Sequence, residues 1–195
     1  VVHHAMCNII EPILERQFLH DSYANQKGKG TLAAIKRFEF FKRKASRNLT
    51  SVKDTGNIKG FVLKADVRRF FDTVSHEILL GIIGHSIKDE KVMWLIRTIL
   101  SNHKTESLGA GMPPGNLTSQ FFANVYLNEL DQFVKHNLRA RYYIRYVDDF
   151  VIFHRSNEAL KYYKEQIGSF IKERLALQLH PDKSRIFPIY QGTDF

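Results

Sequence analysis

An α+β fold is predicted by three features of the sequence. Its stretches alternate irregularly between helical and strand-like periodicity, in the order helix, helix, strand, helix, helix, loop and helix, hairpin, helix, strand, strand. Two carboxylate sites sit on short apolar strands rather than on helices. The first quarter is helical and basic: residues 1–50 carry nine Lys/Arg against four Asp/Glu. The expected architecture is an antiparallel sheet backed by helices, preceded by helical, cationic segments.

A chain of 195 residues suits one or two compact units and is long enough to bury a sizeable core. It has 29 Lys/Arg against 20 Asp/Glu, a formal charge of +9, which favours a polyanionic partner. Cys7 is the only cysteine, so an internal disulfide is excluded, as expected in a reducing compartment. The nine histidines show no zinc-site spacing. No apolar run is long enough to span a bilayer and no signal-peptide pattern is present. These features predict a cytoplasmic protein with no membrane partner.

Residues 1–18 place Ala5, Ile9 and Ile13 at helical spacing, with Ile10 and Leu14 beside them, and predict an amphipathic helix broken or bent near Pro12. Residues 21–31 are rich in turn formers and lysine. They lead into a helix with Leu32, Ile35, Phe38 and Phe41 on one side. Residues 49–59 read as a polar connector. Residues 61–65 are a strand that delivers Asp66 at its end, and Asp72, Thr73 and Ser75 are capping residues for a helix over 78–83, with Asp72 itself a structural cap. A further helix over 90–100 is expected to bury Met93 and Trp94 in the core. Residues 111–120 form a Gly/Pro loop, with Thr118 and Ser119 as N-cap candidates for a helix that runs to Val134. Later, Leu160, Tyr163, Ile167, Phe170, Ile171 and Leu175 trace one face of a long helix, 177–180 reads as a strand and 180–184 as a turn.

The chemistry concentrates at Asp148-Asp149. Ile144, Tyr146, Val147, Phe150 and Val151 around the pair have strand composition, and the acidic pair interrupts them as a tight hairpin turn would. Adjacent carboxylates with apolar flanks repel one another, and a hard divalent cation with oxygen ligands, Mg²⁺ above all, offsets that charge. If Asp66 and Asp148-Asp149 meet on neighbouring strands, they can hold two ions about 3.5–4 Å apart, the arrangement used for in-line nucleotidyl transfer.

Tyr146-Val147-Asp148-Asp149, with Phe71 five residues after Asp66, resembles the palm of a reverse transcriptase. The likeness runs in the family's order through residues 22–31, 66–72, 111–120, 146–149 and 180–183. It implies a right-hand polymerase with partial, helical and basic fingers over 1–58 and a palm with embedded helical segments over 59–195. The chain stops at Gly192-Thr193-Asp194-Phe195, where relatives continue into primer grip and thumb, so a thumb is expected to be absent. The implied activity is RNA-directed DNA polymerisation, by two-metal-ion transfer of a nucleotide from a dNTP to a primer 3′-hydroxyl. Asp66, Asp148 and Asp149 would be catalytic and hold the metal with the carbonyl of Val67. Mg²⁺ is the implied cofactor, with Mn²⁺ able to replace it. Lys183 would face the triphosphate and protonate the departing pyrophosphate.

The same resemblance makes Phe71 the steric gate against a ribose 2′-hydroxyl and places Tyr146, Pro114, Gly115, Asn116 and Gln120 against the substrate pair. Lys27 and Lys29 would contact nucleic-acid and triphosphate phosphates. The implied partners are an RNA template, a DNA or RNA primer, dNTPs and an accessory protein, in a bacterial, phage or related prokaryotic element. Gly115-Asn116-x-Thr118-Ser119-Gln120, followed by residues 122–128, is most like enzymes of diversity-generating retroelements and their bacterial and group II intron-like relatives. Two positions depart from the common pattern: Gln26 stands where relatives often have arginine, and Pro114 where many have glutamine. Two rivals are set against this reading. Phe71 argues against an RNA-dependent RNA polymerase, which tends to have a polar residue there. A non-catalytic nucleic-acid-binding domain would be either a degenerate polymerase or a fragment too short to work; acidic residues at all three metal positions argue against the first and leave the second open.

Overall fold

The computed structural model describes residues 1–48, 59–102 and 108–191. The expected connector over 49–58 and the chain end over 192–195 lie outside these residues. The described elements run in the order α1 (Val2–Leu14), β1 (Ser22–Tyr23), α2 (Thr31–Ala45), β2 (Phe61–Asp66), α3 (Phe70–Thr73), α4 (His76–Ser86), α5 (Glu90–Ser101), α6 (Leu117–Gln132), β3 (Tyr142–Tyr146), β4 (Asp149–His154), α7 (Asn157–Leu175) and β5 (Arg185–Pro188). The protein is α+β, as predicted.

One five-stranded sheet, in the order β1-β3-β4-β2-β5, organises the molecule. Every pairing is antiparallel except β1 with β3, which is parallel. That two-residue edge strand is too short to leave a periodic signal, and it corrects the expectation of a wholly antiparallel sheet.

Both faces of the sheet are covered, which is why its strands read as nearly continuous apolar runs. Leu63 and Ala65 of β2, Tyr143 of β3 and Phe150 and Ile152 of β4 face a large core shared with α1 and α4 to α7. Val62, Ile144, Val151 and Phe153 face the opposite way, onto Phe38 and Phe41 of α2. There Phe38 meets Phe153 edge-on with centroids 5.1 Å apart. At the centre of the larger core, α6 is buried over nearly its whole circumference, which accounts for its lack of a polar face.

Several local expectations need correction. Helix α1 continues through Pro12 to Leu14 before a 3₁₀ turn at Glu15–Gln17. It buries Met6, Cys7, Ile10 and Leu14, while Ile9 and Ile13 are 65% and 43% exposed. The helix has two apolar rows, and the packing on α6 and α4 selects the second. In α2 the same choice buries Ala34 and Ala45 with Phe38 and Phe41, and leaves Leu32 and Ile35 exposed. Trp94 is 64% exposed on α5, not core, although Met93 is buried. Ser75 alone caps α4, accepting from the amide of Ile78. Asp72 sits in the one-turn α3 and pairs with Arg69 at 3.0 Å, so it is not a cap. The N-cap of α6 is Asn116, while Thr118 meets the ring of His3 at 2.9 Å. Residues 177–180 contribute only a bridge from Leu179 to Val67. The six apolar residues of α7 behave as read: Leu160, Ile167, Ile171 and Leu175 are buried, with Tyr163 and Phe170 packed against them.

Candidate active site

The two carboxylate sites meet. Strands β2 and β4 pair antiparallel with Asp66 opposite Asp149, and β3 pairs with β4 so that Tyr146 faces Asp149 across a two-residue turn at Val147 and Asp148. The amide of Val67 donates to the carbonyl of Asp148 at 3.3 Å, fastening that turn to the end of β2. Val147 adopts φ +54°, a conformation that costs a β-branched residue about 1–2 kcal/mol.

The electrostatics match a cation site. Asp148 titrates above the ordinary carboxylate range, first because burial penalises its charge and then because Asp149 and Asp66 repel it. Burial and the charge of Asp66 raise Asp149 as well, against the pull of Lys64 and Lys183. Three carboxylates whose charge Lys64 and Lys183 offset only in part suit a divalent ion. A closed cage is not formed, however: among the described residues no group of three His, Cys, Asp or Glu side chains stands close enough to hold a metal ion. The ammonium of Lys183 instead lies 2.9 Å from Asp66 Oδ2, and binding of an ion at Asp66 requires it to share or give up that contact.

Lys183 reaches this position because its turn is docked on β2. The amide of His180 donates to the carbonyl of Asp66 at 2.8 Å, and the ring of His180 accepts from the amides of Asp182 and Lys183 at 3.2 and 3.4 Å. The contact with Asp66 raises the pKa of Lys183, although its side chain is 60% exposed.

A second cluster is built on the segment that follows β2. The loop 111–120 is latched to α3 and α4: Met112 N donates to Phe71 O at 2.7 Å, Gly111 N to Val74 O at 2.8 Å, and the ring of His76 meets Gly111 O at 2.7 Å. The Phe71 backbone and the base of the loop are thereby held together. Pro114, Gly115 and Asn116 are exposed at its tip, and Gly115 takes φ +89°, a conformation glycine adopts without strain. On the α2 side, Thr31, Ala34, Lys64, Tyr146, Asp149 and Val151 line a small cavity of about 100 Å³, with Thr31 Oγ1 and Tyr146 Oη 3.0 Å apart.

The lysines of the 22–31 loop divide. Lys27 is exposed and lines a cavity of about 510 Å³ together with Gln26 and Gln120. Lys29 folds inward, donating to the carbonyls of Leu19, His20 and Ser22 at 3.3, 3.0 and 3.4 Å, and burial lowers its pKa. Gln26 braces the same turn through Ser22 Oγ at 3.1 Å and Ser22 O at 3.2 Å. The Gln26 side chain is thus engaged within the loop.

One part of the site escaped the reading of the sequence. Arg145 is fully buried beneath the Val147-Asp148 turn and forms a bidentate pair with the equally buried Asp131 of α6. Tyr143 Oη donates to the same carboxylate at 2.5 Å. The available signal was a stripe of Asn124, Asn128 and Asp131, at i, i+4 and i+7, on a helix that is buried over most of its surface.

Residues 1–192 match the profile of a family described as reverse transcriptase (RNA-dependent DNA polymerase). The chain is similar to Protein YkfC of Escherichia coli strain K12, with 28% identity over all of this chain and 58% of that protein. It is also similar to the group II intron-encoded protein LtrA of Lactococcus lactis subsp. cremoris, at 26% identity over 75% of this chain and 35% of the relative. The chain thus spans about three fifths of one and about a third of the other. Among solved structures, apo telomerase from Candida tropicalis superposes with a TM-score of 0.70 at 12% identity, covering 98% of this chain and 37% of that one. At that identity the likeness is one of fold, that of a right-hand polymerase.

Proposed function

The chain belongs to the reverse transcriptase family, and on that premise we propose that it is the fingers and palm part of an RNA-directed DNA polymerase, with fingers over 1–58 and palm over 59–195. The observation that carries this reading is the register that sets Asp66 opposite Asp149, next to the Asp148 turn. The proposed ligands of two Mg²⁺ ions, replaceable by Mn²⁺, are Asp66 and Asp148, with Asp149 and the carbonyl of Val67 contributing. When bound, such ions lower the pKa of a primer 3′-hydroxyl and neutralise triphosphate charge.

The chain's own groups carry the rest. Attack by the primer 3′-oxygen forms the new bond to the α-phosphorus as the bond to the β-phosphate oxygen breaks, and Lys183 donates a proton to the departing pyrophosphate. To do so its ammonium turns from Asp66 toward the triphosphate, a small motion for an exposed side chain. Phe71 walls off a 2′-hydroxyl, and its backbone contact to Met112 keeps the 111–120 loop beside the nascent pair. In this reading Tyr146, Pro114, Gly115, Asn116 and Gln120 line the substrate pair. Lys27 meets template or triphosphate phosphates, and Lys29 joins it once released from its loop carbonyls. The partners proposed are an RNA template, a DNA or RNA primer, dNTPs and an accessory protein, in the cytoplasmic setting that the lone Cys7 suits. No helix among the described residues is long and apolar enough to cross a membrane.

Primer extension by the full-length protein on an RNA template tests this reading. Synthesis should require dNTPs and a divalent cation and should vanish in Asp148→Asn. Phe71→Ala should admit ribonucleotides. Extension that survives Asp148→Asn would remove the proposed metal site, and unchanged sugar discrimination in Phe71→Ala would remove the gate.

A further inference from the structure

Arg145 lies directly under the turn that carries Asp148, and each of its five guanidinium N–H groups has an acceptor. Nε and Nη2 donate to the two oxygens of Asp131 at 2.8 and 2.6 Å. Nη2 also donates to Ser22 Oγ at 2.9 Å, and Nη1 to Asn124 Oδ1 at 3.2 Å. The fifth bond runs from Nη1 to the carbonyl of Val147 at 2.7 Å. Four bonds therefore fix the guanidinium, and one projects from it to the backbone immediately before Asp148. On the far side of that residue the carbonyl of Asp148 is held by Val67 N. The carbonyls of Val147 and Asp148 are thus each held by a donor, one from β3 and one from the end of β2, at a position where Val147 holds a left-handed conformation.

A buried ion pair is weak evidence for a stabilising role, because apolar groups of the same volume often serve as well. An apolar replacement, however, would not reach the Val147 carbonyl. The network also extends away from the turn. Asn124 donates to the carbonyl of Ala24 at 3.0 Å, and the amide of Arg145 to that of Asp21 at 3.0 Å, so the guanidinium sits between the catalytic turn and the 22–31 loop.

We infer that Arg145 is a positioning residue, which aims the Asp148 carboxylate at Asp66 and Asp149 through the Val147 carbonyl and ties the 22–31 loop to the same turn. This inference rests on the reading of Asp148 as a metal-binding carboxylate.

The test uses Arg145→Lys in the full-length protein. Lysine keeps a positive charge beside Asp131 but offers three donors and no planar fork. Turnover should fall about a hundredfold, the scale of a misplacement of about 1 Å, a larger change than in the KM for dNTP. Hydrogen exchange over residues 146–149 should quicken while that of α6 stays as in wild type. Tyr126→Phe is the control: it removes an equally buried hydrogen bond, to the carbonyl of Leu175 at 2.6 Å, which is no part of the Arg145 network, and should retain wild-type turnover. If Arg145→Lys fails to fold, Ser22→Ala decides, because it frees one guanidinium hydrogen from the loop side and should still quicken exchange over 146–149. Wild-type turnover and exchange in Arg145→Lys, or unchanged exchange in Ser22→Ala, would overturn the inference. An equal loss of turnover in Tyr126→Phe would reduce Arg145 to general stability and overturn it too. Failure of the underlying reading has a separate signature, which is synthesis retained by Asp148→Asn whatever Arg145→Lys does.

Discussion

Two turns converge on the carboxylate end of the sheet, and they are built in opposite ways. The Val147-Asp148 turn joins two core strands and stands on Arg145, which is 1% exposed and saturated with buried acceptors. The turn at 181–183 is exposed and touches the sheet mainly through backbone bonds to the end of β2 and the contact of Lys183 with Asp66. Buried polar networks with every member satisfied are rigid, whereas exposed ion pairs contribute little and exchange readily. The contrast suits the proposed chemistry, in which carboxylates stay fixed while one ammonium moves.

The largest expected effect breaks the rigid side. Asp148→Asn in the full-length protein should lower synthesis by at least about 10³-fold, the upper scale for removing one electrostatic stabiliser of a transition state, with an unchanged circular dichroism spectrum. Asp131→Ala attacks the support instead of the carboxylate. It leaves Arg145 buried without its counter-ion and should cost about 3–5 kcal/mol in chemical denaturation.

The exposed side should answer differently. Lys183→Ala should leave stability within about 0.5 kcal/mol of wild type, as for a surface position. Its turnover should nevertheless fall about 10²-fold, the lower range for loss of a general acid, as read by single-turnover kinetics. A large stability loss there would erase the distinction between the turns. A smaller effect is expected at the 111–120 loop tip. Pro114→Gln adds a polar contact worth about 0.5–1.5 kcal/mol, so misincorporation on one defined template should fall by about tenfold at most.

The smallest effect concerns Asp21, beside β1. Burial alone would raise its pKa, but hydrogen bonds from Arg37 and His20 and the charges of Lys135 and Arg37 outweigh it, and the carboxyl ends below its ordinary value. A carboxyl lowered on folding stabilises the protein above its unfolded pKa of about 3.9, and that stabilisation is lost as pH falls through the lower folded value. Arg37→Ala should therefore be less stable than wild type at neutral pH, with the gap narrowing below about pH 4 in denaturation curves. Part of the gap should persist, because Arg37 also lies 4.3 Å from the ring centroid of Phe41.

Much of this molecule was legible in its sequence where a local pattern carries the information. Strand composition around an acidic pair gave the hairpin, and apolar residues at helical spacing gave α7. The order of motifs gave the family, and the register of β2 and β4 sets opposite one another Asp66 and Asp149, two of the residues that the resemblance singled out. The finer likeness to diversity-generating enzymes rests on the 111–128 segment, whereas relatives found by similarity include a group II intron-encoded protein.

What the sequence could not decide were choices between equal local alternatives. Helix α1 has two apolar rows, and the positions of α6 and α4 determine that Ile10 is buried while Ile9 is not. Trp94 lies on a helix whose inner face is filled by Met93, Ile96 and Leu100, so a large apolar residue is left outside. Lys29 and Lys27 are two residues apart in one basic loop, yet one faces three carbonyls and the other solvent. Arg145 in a strand and Asp131 in a helix each look like isolated charges until packing removes both from water. Residue type and spacing determined which elements form and which acids they carry. Burial, which depends on what the rest of the chain places alongside, decided which charges are enclosed by partners and which face solvent.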